Sequence, residues 1–311
     1  SWYENGQKSA ERYIKDGKQD GRLTGWFENG QKKIESNRKD GKEEDKWTEW
    51  YENGQKKSEI HFKNGKQDGR FTAWHENGQI KAEGNYKDGK EDGKHESWYE
   101  NGQKWYEGFY KDDNLVSNTD YKYNENGKIK VESNYVNGIL KSQTDYHYYE
   151  NGRLKVKVMS KNGKLDGKYT QWYESGQMDF EQFYKDGKKD GMFTQWHENG
   201  QMHLKGNYKN DMLEGNGKAW FKNGRLSQNT FYKNGKLDGK LESWHENGEL
   251  AHKENHKNGE QNGVAESWYD NGQKRSEINS KEGTLDGKWT EWYKNGQKKQ
   301  DSAYKDGLRD G

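Results

Sequence analysis

Nine histidines and 53 acidic residues make acid–base and metal chemistry the first things to weigh. His252 and His256 are spaced i,i+4, the separation at which two imidazoles on one helix face share a metal. On an extended strand the same pair lies about 13 Å apart and cannot. Asp-Gly-Lys-x-Asp-Gly, as at 88–93, is acidic and glycine-rich, yet it lacks the spaced oxygen ligands and closing Glu of an EF-hand loop. His75, His197 and His245 fall where other copies of a repeated motif carry Tyr or Phe, and read as aromatic substitutes. With zero cysteines there is no thiolate zinc site, disulfide or cysteine nucleophile. No nucleophile elbow, phosphate loop or uniquely placed Ser, His and Asp set stands out. No catalytic, metal or cofactor-binding residue is assigned, no cofactor is expected, and an enzyme is not expected.

Aromatic chemistry is richer, with 14 Trp, 21 Tyr and 9 Phe. Such rings interleaved with lysines stack nucleic-acid bases or sugar rings. A net charge of +1, from 54 basic and 53 acidic residues, argues against nucleic acid, where counterion release needs a basic surface. Stacking on sugars leaves a glycan as a minor alternative. One cluster departs from the rest: Tyr121, Tyr123, Tyr146, His147, Tyr148 and Tyr149 gather in the most aliphatic stretch, beside Val131, Val136, Ile139 and Leu140. It reads either as a bend packed by extra apolar groups or as a partner-binding patch.

Only 26% of the chain is hydrophobic, far below the roughly 45–50% of an ordinary globular domain. A thick core is therefore excluded, while the balanced charge and the aromatics oppose disorder. What positions the rings is a repeat. Asn-Gly, once Ser-Gly, places its glycine at Gly6, Gly30, Gly54, Gly78, Gly102, Gly127, Gly152, Gly176, Gly200, Gly224, Gly248, Gly272 and Gly296, spaced by 24 residues apart from two steps of 25. Asn-Gly between extended segments is the strongest short hairpin signal, through a type I′ turn with positive φ at both central residues. The expected fold is all-β: an elongated, twisted antiparallel sheet of about thirteen hairpins, an open single-layer meander running as one array over 1–311. At about 4.8 Å per strand, twenty-six strands extend about 125 Å. Zero prolines fit, since proline removes a ladder donor.

A two-residue Asn53-Gly54 turn pairs Trp50 with Lys57 and Thr48 with Glu59. Stacked copies then form a tryptophan stripe of Trp2, Trp26, Trp50, Trp74, Trp98, Trp172, Trp196, Trp220, Trp244, Trp268 and Trp292, beside a second stripe including Tyr3, Phe27, Tyr51, Tyr99, Tyr173, Phe221, Tyr269 and Tyr293. Lys33, Lys57, Lys81, Arg275 and Lys299 are expected over the indoles. The acidic position at Glu11, Glu35, Glu59, Glu83 and their equivalents either pairs with neighbouring lysines or binds cations or a basic partner. Added residues between Ser117 and Tyr123 and between Ser142 and Tyr148 make 113–160 irregular, with two expected β-bulges.

Trp-Tyr-Glu-Asn-Gly-Gln-Lys followed by Tyr-Lys-Asp-Gly-Lys-x-Asp-Gly resembles the bacterial variant of the MORN repeat, found in proteins described as antitoxin-like. The resemblance implies antiparallel hairpins in an elongated sheet, and roles in association, scaffolding or membrane-linked binding. A non-enzymatic scaffold that binds another protein or itself, end to end or face to face, is the leading expectation, with an antitoxin or immunity-type inhibitor as the alternative. A lipid surface is a third expectation, which the family's name implies and which flanking segments would serve; Ser1-Trp2-Tyr3 is neither an initiator Met nor a signal peptide and reads as a piece of a longer chain. A polar, cysteine-free repeat suits a bacterial exported or cell-surface protein, though a cytoplasmic scaffold looks the same.

Overall fold

The computed structural model describes residues 1–310. Two compact units divide the chain, Ser1–Thr144 and a second beginning at Asp145. In each unit hairpin strands pair antiparallel with their sequence neighbours, as Lys42–Trp50 does with Lys32–Lys39 and Lys56–Lys63, giving an open β-meander. No helix of the described residues is long and apolar enough to cross a membrane.

The tip of each hairpin differs from the expected two-residue turn. Tyr51 N–H donates to the Gln55 carbonyl at 2.8 Å and Gly54 N–H to the Tyr51 carbonyl at 2.9 Å. Gly54 has a φ of 85°, whereas Asn53 is not left-handed. The loop is therefore three residues long, a type I turn closed by a left-handed glycine bulge. Trp50 consequently opposes Lys56 rather than Lys57, while Thr48 still opposes Glu59. Asn53 serves through its side chain: Oδ1 accepts from Gln55 N–H at 2.9 Å, and Nδ2 donates to the Glu76 carbonyl at 3.0 Å in the next copy. The two-residue turn with consecutive positive φ occurs instead between copies, as at Asn64 (52°) and Gly65 (82°), flanked by the pair Lys63 and Lys66.

Every regular copy also contains a bulge that the sequence reading confined to the irregular ones. Ile60 pairs with Phe71 and Phe62 with Gln67, so Asp68, Gly69 and Arg70 stand opposite His61 alone, with Gly69 at φ 115°. Asp45 fills that place in one copy at φ 60°, a conformation Asp tolerates. The strand Asn114–Tyr123 has no such residue. Phe109 pairs there with Ser117 and Tyr110 with Leu115, leaving Val116 as a one-residue bulge. The extra residue thus sits just before the expected interval, and Ser117–Lys122 pairs without a break against Val131–Val136.

The sheet has almost no apolar interior. Ala265 is the one buried hydrophobic residue among the described ones; the other buried residues are mainly threonines and serines such as Thr48, Thr72, Thr170 and Thr194. Packing comes from a row of rings that the sequence reading missed, on the face opposite the tryptophans. Phe71, Tyr86, His95 and Tyr110 follow one another in the first unit at centroid separations of 6.2, 5.5 and 4.9 Å. In the second unit Phe193 meets Tyr208 at 5.2 Å and Trp289 meets Tyr304 at 5.8 Å. Small residues let these rings lie down: a Cβ at Gly84 would come within 2.3 Å of the His95 ring, and one at Gly206 within 2.6 Å of Phe193.

Candidate association surface

Side chains alternate between the faces of a strand, so Trp50, Thr48 and Lys46 share one face with Glu59 of the paired strand. Thr48 is opposed by Glu35 on one side and Glu59 on the other. A row of alternating threonine and glutamate therefore crosses the sheet. Two of these glutamates are each held between two cations: Glu59 by Lys46 at 2.8 Å and Lys56 at 2.6 Å, Glu35 by Arg22 at 2.6 Å and Lys32 at 2.5 Å. The Lys32 hydrogen bond outweighs burial and lowers the Glu35 pKa. At Glu59 burial raises the pKa, but hydrogen bonds from Lys46 and Lys56 together overcome it and leave the carboxyl below its usual range. In these copies the acidic position thus pairs with lysine or arginine.

The same lysines reach the next copy. Lys32 Nζ lies 5.5 Å from the Trp50 ring, Lys56 5.5 Å from Trp74 and Lys274 5.6 Å from Trp292. This corrects the expected donors. With the register moved by one residue at the three-residue tip, Lys33 lies over Phe27 and Arg275 over Tyr269, while Lys57 and Lys299 pair with Glu49 and Glu291. Lys81 is likewise displaced from its place opposite Trp74, which Ile80 takes. Where three carboxylates stand side by side, Glu83, Glu96 and Glu107, Lys104 ties the last two together. Burial works against its charge, yet hydrogen bonds to Glu96 and Glu107 push its pKa up to about 12.

The second stripe staples copy to copy. Tyr3, Tyr51, Tyr173 and Tyr269 donate their hydroxyls to the carbonyls of Trp26, Trp74, Trp196 and Trp292 at 2.7 to 3.0 Å. His75, His197 and His245 make the same bond through Nε2 to Trp98, Trp220 and Trp268. Since a carbonyl only accepts, Nε2 carries the proton in each.

The aromatic cluster of the irregular copies belongs to different units. In the first, Tyr123 donates to the Lys104 carbonyl at 2.5 Å and meets the Tyr99 ring edge-on at 6.4 Å. Half-buried Tyr121 opposes Glu132, and burial, then the charges of Glu107 and Glu132, raise its pKa. In the second, Tyr149 staples to the Trp172 carbonyl at 2.7 Å, and Lys155 and Lys157 lie over the rings of Tyr149 and Tyr146. His147 is exposed and Tyr148 half-buried.

His252 and His256 do not face each other. Both Nε2 atoms turn to Glu254 between them, at 3.2 and 2.8 Å. Among the described residues no group of three or more His, Asp and Glu side chains converges as a metal site.

Hairpins of this length, with left-handed glycines at their tips and lysine-bridged repeats, can be compared with known proteins. The MORN repeat variant matches at 46–64, 67–88, 91–112, 121–137, 165–186, 189–210, 237–258, 261–282 and 285–306, more than half of the chain. The chain belongs to the MORN repeat variant family. No curated protein matches this MORN repeat chain. Among solved structures, the crystal structure of TcdB2-TccC3-Cdc42 is 12% identical, with 98% of this chain and 20% of that one covered at a TM-score of 0.20. That of TcdB2-TccC3-TEV is 14% identical, with 96% and 17% covered at 0.21. The MORN repeat chain thus spans about a fifth of the length of the first.

Proposed function

We propose that this MORN repeat protein is a non-enzymatic scaffold for protein–protein association, and that its tryptophan face is the surface used. One observation carries this reading. Tyr13 and Phe109 in the first unit, and Met192, Phe231 and Val264 in the second, are 40 to 64% exposed. Each stands two residues from a row position of its own unit (Glu11, Glu107, Thr194, Asn229 and Glu266) and so on that unit's tryptophan face. Apolar groups set among ion pairs have the make-up of an interface centre with a polar rim.

Serine at Phe109, Phe231 and Val264 tests this. Capture of a distinct protein from an extract of the source cells, or self-association in sedimentation velocity, falls at least tenfold if the face is used, while the circular dichroism spectrum is kept. Undiminished capture by the triple variant, or neither capture nor self-association by the wild-type chain, contradicts the proposal. An antitoxin-type inhibitor is a special case of the same association, and rescue of growth on co-expression with a toxic neighbouring gene product would single it out.

A further inference from the structure

On the tryptophan face of the second unit, the carboxylate row is interrupted between Glu181 and Glu242. Lys205 stands where Glu181 and Glu277 stand in their copies, opposite Thr194 on one side and Lys218 on the other. Lys218 in turn opposes Asn229. Glu181 lies beyond Thr194, and Glu242 beyond Asn229, each a further strand away. Lys253 also occupies the acidic place, but it opposes Glu242 and Glu266 and pairs with the latter at 3.7 Å. Among the described residues, no ion pair joins Lys205 or Lys218 to a carboxylate.

Directly opposed residues have Cβ atoms about 5 Å apart, and like charges there are destabilising. Elsewhere on this face two cations come together with one carboxylate seated between them, as Glu59 sits between Lys46 and Lys56. Here the two cations are present and the carboxylate is missing. Beside them an open depression of about 340 Å³ is lined by Met192, Met202, Trp220, Asn207 and Asn216. Flexible thioethers around an indole suit irregular apolar side chains, and the two amides offer both donors and acceptors to an extended backbone.

We propose that Lys205 and Lys218 receive the carboxylate of an acidic residue from a protein partner, with the apolar residue flanking it packed on Met192, Met202 and Trp220. The inference rests on the association reading and names the chemistry of what binds at this point of the face. A sugar acid would satisfy the lysines equally, but the methionines around Trp220 favour a peptide.

The probe is a fluorescent N-acetylated peptide, Ala-Ala-Leu-Glu-Leu-Ala-Ala, against its Gln counterpart, read by anisotropy on the full chain. The Glu peptide is expected to bind at least tenfold more tightly than the Gln peptide, and to weaken with salt because the attraction is screened. The double variant K205E/K218T, which restores the pattern of the regular copies, should lose that preference. K205E alone should raise the melting temperature without any ligand, since Lys218 gains a partner. Equal binding of the two peptides, or unchanged binding to K205E/K218T, overturns the site. Binding of oligogalacturonate but of neither peptide overturns the peptide ligand. If K205E/K218T captures the same protein as the wild-type chain, this site fails while the association reading stands. If the wild-type chain binds the Glu peptide but captures no protein and does not self-associate, the association reading fails and the site's chemistry stands.

Discussion

The Tyr51 hydroxyl donates to the main-chain carbonyl of Trp74, one copy further along, at 2.8 Å. The bond runs along the row of hairpin tips, where the ladder between strands has ended, and it fixes one tip on the next. Asn53 repeats the device two residues further into the turn, its Nδ2 reaching the Glu76 carbonyl at 3.0 Å.

Tyr51→Phe should therefore lower the stability of the first unit by about 1 kcal/mol, the net value of one such bond. Phe27 and Phe221 occupy equivalent positions without a hydroxyl. The reverse changes, Phe27→Tyr and Phe221→Tyr, should gain a similar amount by reaching the carbonyls of Trp50 and Trp244. Urea unfolding of the three variants checks both signs.

Asn53→Asp keeps the acceptor for Gln55 N–H but replaces the donor to Glu76 with an anion facing a carbonyl. A loss of about 1–2 kcal/mol is expected, larger than for Asn295→Asp. Asn295 makes only local contacts, both to Gln297: its Oδ1 accepts from the N–H at 3.0 Å and its Nδ2 donates to Oε1 at 3.4 Å. Equal losses at the two positions would show that the bond between copies contributes nothing.

Gly84→Val brings a side chain into the His95 ring, which is held by the Asn85 carbonyl at 2.9 Å and by Tyr86 and Tyr110 on either side. Overpacking should cost about 1–3 kcal/mol. Adding His95→Ala should recover part of it, as contacting residues couple. Thermal melts of the single and double variants provide the cycle.

The lysine-bridged carboxylates set the acid limit. The folded pKa values of Glu35, Glu59 and Glu96 lie below their ordinary values. Their stabilisation is thus fully present above about pH 5 and is lost as pH falls through about 4 and below. At the alkaline end burial, followed by the charge of Glu91, pushes the Tyr86 pKa up to about 12. Its contribution is present below about pH 10 and lost as pH rises toward 12. Melting temperature against pH should be flat between about pH 7 and 10 and begin to fall below that as His203, whose pKa burial and then His197 lower, takes up its proton. Phenol absorbance should titrate in two phases, the later one reduced in Tyr86→Phe.

Much of this was legible in the residues. The 24-residue return of Asn-Gly to positions such as Gly54 and Gly78 gives the hairpins, and the alternation of Trp50, Thr48 and Glu59 gives the faces. The tip was misread because Asn-Gly has two uses. Asn64-Gly65 takes left-handed φ at both residues, whereas Asn53 turns its amide outward to the next copy, a partner that a local turn rule does not see. That one-residue difference moved the cations over tryptophan from Lys57 to Lys56. The row of Phe71, Tyr86, His95 and Tyr110 does recur in the sequence, but its ring types vary from copy to copy, and only the small residues opposite, such as Gly84, reveal that it is packed. The gap at Lys205 and Lys218 is a break in a charge pattern, visible once strand partners are known.

The central claim, that the tryptophan face binds protein, is tested most directly by photo-crosslinking from two positions on opposite faces of one strand. Phe231 is 40% exposed on that face, and Gln228, also exposed, points to the other. With p-benzoylphenylalanine at either position and irradiation in the cells that make the protein, the account expects a discrete crosslinked polypeptide from position 231 and none from position 228. Crosslinks of equal yield from both positions, or from neither, would contradict it.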